Sequence, residues 1–328
     1  MPTAPSPDPP ALPQTITAQK CALDLLDCRA VHDAGHLGDG TKTVVVDSGF
    51  YAHPYFAARG LAAPDVILGP GSSAAGNDQL GHGTGMCACL LAVAPLTRLV
   101  VIKSDPQNML GALQLAIDQD PDVISCSWGV NFRSRQLGNE EKALAAVIDN
   151  AIARKIVVVA AGGNEGTQNF PAQHPDVIAV GGVCPQADGT LLPSLYTSHF
   201  ESKAYSQRLV PDLCGISGNG PLGGLMVLPV SPGGKLDVDL SSEPDGTAPD
   251  DGWAVFSASS AAAAQLAGIC ALLISARRVS GATPLAPAEL RQHLIATGLN
   301  VPPPADDALD EYPDDPVVLS QAAAAVLA

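Results

Sequence analysis

Short continuous apolar runs alternate along the chain with longer segments whose apolar positions recur at spacings of three and four. Thr43–Asp47 (TVVVD), Leu99–Lys103 (LVVIK), Val123–Ser127 (VISCS), Ile156–Ala161 (IVVVAA) and Val177–Val180 are of the first kind and predict buried strands. Gly83–Leu91, Leu110–Asp118, Asn139–Lys155 and Ser260–Ile274 predict helices, and another closes the chain near Ser320–Ala328. Asn139–Lys155 opens on Glu140 and Glu141 and closes on Arg154 and Lys155, the charge order a helix dipole favours. Ser260–Ile274 consists almost wholly of small and apolar residues, which predicts burial on nearly every side.

Strands that alternate with helices predict an α/β fold: a mostly parallel central sheet with helices on both faces. Continuous apolar strands fit a sheet covered on both sides. Active sites of such sheets lie beyond the carboxyl ends of the strands. That rule points to Asp47, Asn164 and the segment Ser127-Trp128-Gly129. Two stretches depart from the pattern. Residues 1–15 are Pro-rich and predict a flexible arm. Gly215–Gly252 is rich in Gly, Pro, Ser and Asp; it predicts one strand, Leu225–Val230, between long loops, with an acidic insertion at about residues 235–252. No internal repeat is apparent, and residues 16–328 read as one domain.

Composition narrows the function classes. The chain of 328 residues is 46% apolar but only 4% aromatic, so its core rests on Ala, Val, Leu and Ile. Lys and Arg total 17 against 33 acids, a net charge of −16. Nucleic acid and anionic membrane surfaces are thereby disfavoured as partners, because both are bound through clustered cations. No basic start followed by an apolar stretch marks a secretory signal, and no apolar run reads as long enough to cross a bilayer. The eight cysteines lie scattered in apolar segments, as buried thiols of a reducing compartment do, and the expected location is cytoplasmic.

Three motifs carry chemistry. In Val44-Val45-Val46-Asp47-Ser48-Gly49 a carboxylate ends a buried strand, where it needs a partner. Alone, it is equally a turn aspartate before glycine. In Gly81-His82-Gly83-Thr84-Gly85-Met86-Cys87-Ala88 a histidine starts a helix between glycines, with room for a substrate to approach. Alone, it is equally a capping or surface histidine. In Phe256–Gly268 a serine lies at the first turn of a buried helix, where free N–H groups and the dipole can bind an oxyanion. N-capping is the commonest role of such a serine, and spacing leaves the choice among Ser257, Ser259 and Ser260 open. The chain order Asp, His, Ser is that of subtilisin.

On these residues the sequence resembles the subtilisin-like serine proteases, or subtilases. VVVDSG, GHGTGMCA and SASSAAAAQLAG match the family's aspartate, histidine and serine motifs, and the last selects Ser260. Val158–Gly166 (VVAAGGNEG) is similar to the family's oxyanion segment, and Asp122–Gly129 (DVISCSWG) to the strand on which substrate pairs. The resemblance runs from about residue 16 to the C-terminus. It implies a serine endopeptidase with Ser260 as nucleophile, His82 as base and Asp47 orienting the base. It further implies Asn164 as oxyanion donor, and Ser127, Trp128, Gly129, Ala161, Gly162 and Gly163 as the cleft walls. The expected partner is a protein or peptide substrate, with a regulatory partner protein as a further candidate. No cofactor or metal is expected, because the metal-binding loop after the histidine helix is missing and Tyr55 replaces a frequent aspartate ligand. No long cleaved prosegment is expected either.

The departures are specific. The glycine and threonine before the nucleophile are Ala258 and Ser259, the following methionine is Ala261, the helix proline is Ala264, and Gly85 replaces a histidine. Ala258 would strain a turn that needed positive φ. Two alternatives share the fold: a peptide transacylase or cyclase that uses the same acyl-enzyme, and a non-catalytic binding module.

Overall fold

The computed structural model describes residues 4–12, 15–73, 77–218, 225–241, 247–256, 258–303 and 316–327. Ten strands form the central sheet: β1 (Lys42–Asp47), β2 (Asp65–Leu68), β3 (Arg98–Lys103), β4 (Val123–Cys126), β5 (Val157–Ala161), β6 (Ile178–Pro185), β7 (Leu191–Pro193), β8 (Leu213–Ile216), β9 (Leu299–Val301) and β10 (Val317–Leu319). Their order is β9-β10-β8-β6-β5-β4-β1-β3-β2, with β7 attached to β6. Every neighbouring pair is parallel except β9–β10 and β7–β6.

Four helices hold the sheet: α1 (His82–Val93), α2 (Met109–Asp118), α3 (Asn139–Ala153) and α4 (Ser259–Val279). Alternate residues of each strand face opposite layers. Val45 and Val101 join the larger core with α1 and α4, whereas Val44, Val46, Val100 and Ile102 join the second core with α2 and α3. The expected α/β architecture is therefore present, and most predicted elements lie within two residues of their observed ends. Helix α3 stops at Ala153 because Lys155 takes a left-handed turn, with φ of 64°, into β5. A three-stranded sheet of Thr15–Thr17, Leu225–Pro229 and Trp253–Phe256 lies beside the main one and delivers the chain to α4.

Helix α4 corrects one expectation. It is 21 residues long and apolar enough, by length and composition, to cross a bilayer, but 94% of its most apolar 18-residue stretch is buried inside the protein. Its small residues let it lie against α1 and the sheet at once. Residues 4–12, read above as a flexible arm, are mostly exposed and meet the body of the protein at two side chains: Trp253 Nε1 donates to Ser6 O at 3.2 Å, and Arg59 donates to Pro7 O at 2.8 Å and to Asp8 at 3.0 Å. Within the acidic insertion, Lys235–Asp239 is a helical turn and Asp237 is fully buried. Glu243 and Asp245, and the candidate Ser257, lie outside the described residues.

Helices α1 and α4 pack closely against each other where α1 ends. Gly268 faces Val93 there; a Cβ at 268 would lie 2.7 Å from Val93 Cβ and 3.0 Å from Leu90 O. Val93 is β-branched and stiff, so a larger side chain at 268 is not absorbed by a rotamer change. Overpacking of this kind costs about 1–3 kcal/mol. Gly268→Val should therefore lower the denaturation midpoint in urea; an unchanged or raised midpoint would contradict this packing.

Candidate active site

Strand β1 ends in Asp47, which is only 5% exposed. Its carboxylate is satisfied locally and across the sheet. Ser48 N donates to Oδ1 at 2.7 Å, and His82 Nδ1 lies 2.8 Å from Oδ1 and 3.0 Å from Oδ2. A carboxylate accepts, so Nδ1 carries the proton and Nε2 is left as the acceptor of the neutral ring. His82 is the first residue of α1, and its ring stacks at 6.3 Å on Phe256 of the strand that leads to α4. The approach of α1 to the end of β1 requires a glycine: a Cβ on Gly83 would lie 2.3 Å from Gly49 O.

Asp78 holds this start in place and was missed in the sequence. Fully buried, it accepts from Gly81 N at 3.0 Å, Thr84 N at 2.9 Å and Thr84 Oγ1 at 2.8 Å. Ser48 Oγ donates to it at 2.8 Å and accepts from Gly83 N at 2.9 Å, so Ser48 joins Asp78 to the Asp47 corner. The available signal was an acid in the turn four residues before His82, because the N-cap position itself is Gly81, which has no side chain to offer. Burial pulls the His82 pKa down, but the charge and hydrogen bond of Asp47, together with the charge of Asp78, outweigh it and hold the imidazole above its ordinary value.

Ser260 lies in the first turn of α4 and is 7% exposed. Its Oγ donates to Ser127 O at 3.0 Å, and Ser127 Oγ returns a bond to Ser260 O at 3.0 Å. This reciprocal pair ties the end of β4 to the start of α4. Ala258, just before the helix, has φ of −168° and ψ of 160°, extended backbone open to any residue, so its methyl group brings no strain. Asn164 follows β5, and its Oδ1 accepts from Ser259 N at 2.9 Å. That bond turns the amide so that Nδ2 is its remaining donor group. Thr167 fixes the Asn164 backbone, accepting from its N–H at 2.9 Å and donating to its carbonyl at 2.7 Å.

The structure thus brings Asp47 and His82 into contact, and places Ser260 with Ser127 and Asn164 with Ser259. Ala161, Gly162 and Gly163 are buried where β5 ends, with Gly162 N donating to Val180 O at 2.8 Å. Trp128 is half-buried beside a cavity of about 260 Å³ that Met109, Leu110, Leu144 and Phe170 also line. A cavity of about 530 Å³ lies elsewhere, against the starts of β4 and β5 and the end of α4, and holds none of these residues. Two further histidines are buried, His53 at 1% and His174 at 4% exposure. His174 Nδ1 accepts from Asp176 N at 3.3 Å and Nε2 faces Asp149 at 3.3 Å, so both its nitrogens are engaged. All eight cysteines are buried.

Comparison with known proteins adds to this geometry. The profile of the subtilase family matches residues 38–314. Subtilisin of Bacillus pumilus is 33% identical over 177 residues, 47% of this chain and 60% of that protein. Subtilisin E of Bacillus subtilis is 33% identical over 177 residues, 47% of this chain and 44% of that protein. The chain therefore spans about half the length of the curated relatives it matches. Among solved structures, a lanthipeptide protease superposes with a TM-score of 0.69 at 19% identity, covering 94% of this chain and 93% of its own. The prenylagaramide maturation protease PagA superposes with a TM-score of 0.61 at 19% identity, covering 92% of this chain and 98% of its own. At such identities these two likenesses establish the fold, and the profile match across most of the chain establishes the lineage: this chain belongs to the subtilase family.

Proposed function

We propose that this chain is a serine endopeptidase that cleaves a selected peptide or protein precursor through an acyl-enzyme. The observation that carries the reading is the Asp47–His82 pair at the carboxyl end of β1, with Ser260, in the first turn of a buried helix, bonded to Ser127 at the end of the neighbouring strand β4. Asp47 fixes the His82 tautomer and stabilises its cation. His82 takes the Ser260 proton through Nε2 and later returns a proton to the leaving amine. In the resting geometry the Ser260 hydroxyl rests on Ser127 O, and rotation about its Cα–Cβ bond releases it towards the base; catalytic hydrogen bonds commonly tighten only with substrate bound. Asn164 Nδ2 and the Ser260 N–H are the donors for the tetrahedral oxyanion. Substrate pairs along Ser127–Gly129 as an added strand.

A selected precursor is favoured over general digestion by the two structural neighbours. One is by name a maturation protease and the other a lanthipeptide protease, and each covers this chain almost completely. Eight buried thiols without a disulfide support a reducing compartment such as the cytoplasm.

Purified Ser260→Ala protein should lose turnover of a peptide pool while keeping its circular dichroism. Asn164→Ala should lose roughly 3 kcal/mol of transition-state stabilisation, the magnitude known for such a donor in subtilisin itself. Cleavage by Ser260→Ala at the wild-type rate would refute the assignment. The acid limb of kcat/KM reports the base of the free enzyme. Because His82 must be neutral to act and its pKa is raised, activity should fall with an inflection above the ordinary value of about 6.5. Asp78→Asn removes one charge that raises it, so its inflection should move to lower pH; an unmoved or higher inflection would contradict the role given to Asp78.

A further inference from the structure

The cavity of about 530 Å³ lies against the starts of β4 and β5, at the end of the sheet opposite Asp47 and Ser127. Its volume is that of a ligand pocket. Val157, Ile274, Leu285 and Leu290 give it apolar walls, and Arg154, Lys155, Arg277 and Arg278 bring four of the chain's 17 basic residues to it. Three acids line it as well, and each is already engaged. Asp120 accepts from Arg154 at 3.0 Å. Asp122 accepts from Arg278 Nη1 at 3.0 Å and from Lys42 N at 2.9 Å. Glu289 accepts from Ala286 N at 2.8 Å, at the start of α5 (Pro287–Thr297).

Two cations are left over. Arg277 donates from Nη2 and Nε to a neutral carbonyl, Thr283 O, at 2.7 and 3.0 Å, and among the described residues neither Arg277 nor Lys155 meets a carboxylate. Lys155 stands in the left-handed turn between α3 and β5, with φ of 64°. Glycine takes that conformation without strain and lysine does not, so the turn alone does not call for a lysine. The chain carries a net charge of −16 and repels acidic segments over most of its surface, which confines them to a place such as this one.

We propose that this cavity is a second docking site for the precursor: an acidic segment pairs its carboxylates with Lys155 and Arg277 while neighbouring aliphatic side chains pack on Val157, Ile274, Leu285 and Leu290. The proposal rests on the peptidase reading above. Helix α4 joins the two sites. Seventeen residues separate Ser260 from Arg277 on it, roughly 26 Å at the rise of an α-helix. A precursor that fills both sites therefore carries its acidic segment at least about eight extended residues from the cut. Attachment at two points selects one precursor by affinity and leaves the bond-breaking step alone, so it acts on KM rather than kcat.

The test titrates two fluorescein-labelled peptides into Ser260→Ala protein and follows their anisotropy: Gly-Ser-Glu-Leu-Leu-Glu-Ser-Gly, and the same sequence with glutamine for both glutamates. At low salt the acidic peptide should bind at least about fivefold more tightly, and the preference should shrink as ionic strength rises. Adding Lys155→Gly, which the left-handed turn accepts freely, should cut the preference at least about twofold, and adding Arg277→Gln as well should abolish it. Equal binding of the two peptides, or a preference unchanged by Lys155→Gly, would overturn the proposal. Wild-type protein then receives a peptide that it cleaves, extended at each end in turn through about fifteen Gly and Ser residues to the acidic or the glutamine stretch. At one of the two ends the acidic version should show the lower KM at unchanged kcat; equal KM at both ends would overturn docking of the precursor. Failure of a fluorophosphonate to label Ser260 of wild-type protein would overturn the peptidase reading and the assignment of the bound segment to a substrate with it. The titrations of Ser260→Ala protein read the cavity by itself, so the two failures are told apart.

Discussion

Asp47 places a carboxylate in the interior, at the end of a strand whose preceding three valines are fully buried. An ionised group there costs several kcal/mol unless it is paired and hydrogen-bonded. The structure meets that demand with the Ser48 amide and with His82, and the second partner dictates much of what surrounds it. Helix α1 must begin within reach of β1, which needs Gly83 at the contact. Its start must then be capped without His82 itself, and Asp78 does so through Gly81 N and Thr84. Ser48, bonded to Asp78 and accepting from Gly83 N, locks strand end and helix start together.

The second helix start answers a different constraint. Helix α4 runs through the larger core, so its first turn presents N–H groups in a place that little water reaches. Ser259 N finds Asn164 Oδ1, and Ser260 O finds Ser127 Oγ. These bonds satisfy the helix end and at the same time fix the ends of β4 and β5 around it. The same interactions that settle polar groups therefore position a hydroxyl, an amide donor group and an imidazole on one rim of the sheet.

Much of this was legible in the sequence because period and burial coincide. Runs such as VVVD and IVVVAA are buried on both faces in the structure, and Asp47, His82, Asn164 and Ser260 all fall at element ends, where the α/β rule looks for a site. What escaped was fixed by partners distant in the chain. Asp78 sits in a polar stretch, GNDQLG, that reads as any loop; its burial follows from the docking of α1 on β1. Asp237 looked like one of several solvated acids, yet it accepts from Gly233 N at 2.7 Å inside the protein, and burial, the foremost cause, pushes its pKa up to about 6. The strain anticipated at Ala258 did not arise, because the residue before α4 is extended rather than left-handed.

The central claim is that the buried charge of Asp47 governs His82. An NMR titration of the His82 ring in wild-type protein and in Asp47→Asn tests it most directly. In wild type the account predicts a pKa above the ordinary histidine value. In the variant, desolvation outweighs the remaining pull of Asp78, and the pKa should drop below that value. A His82 pKa that is the same in both proteins would show that Asp47 does not control the imidazole, and the account built on it would fall.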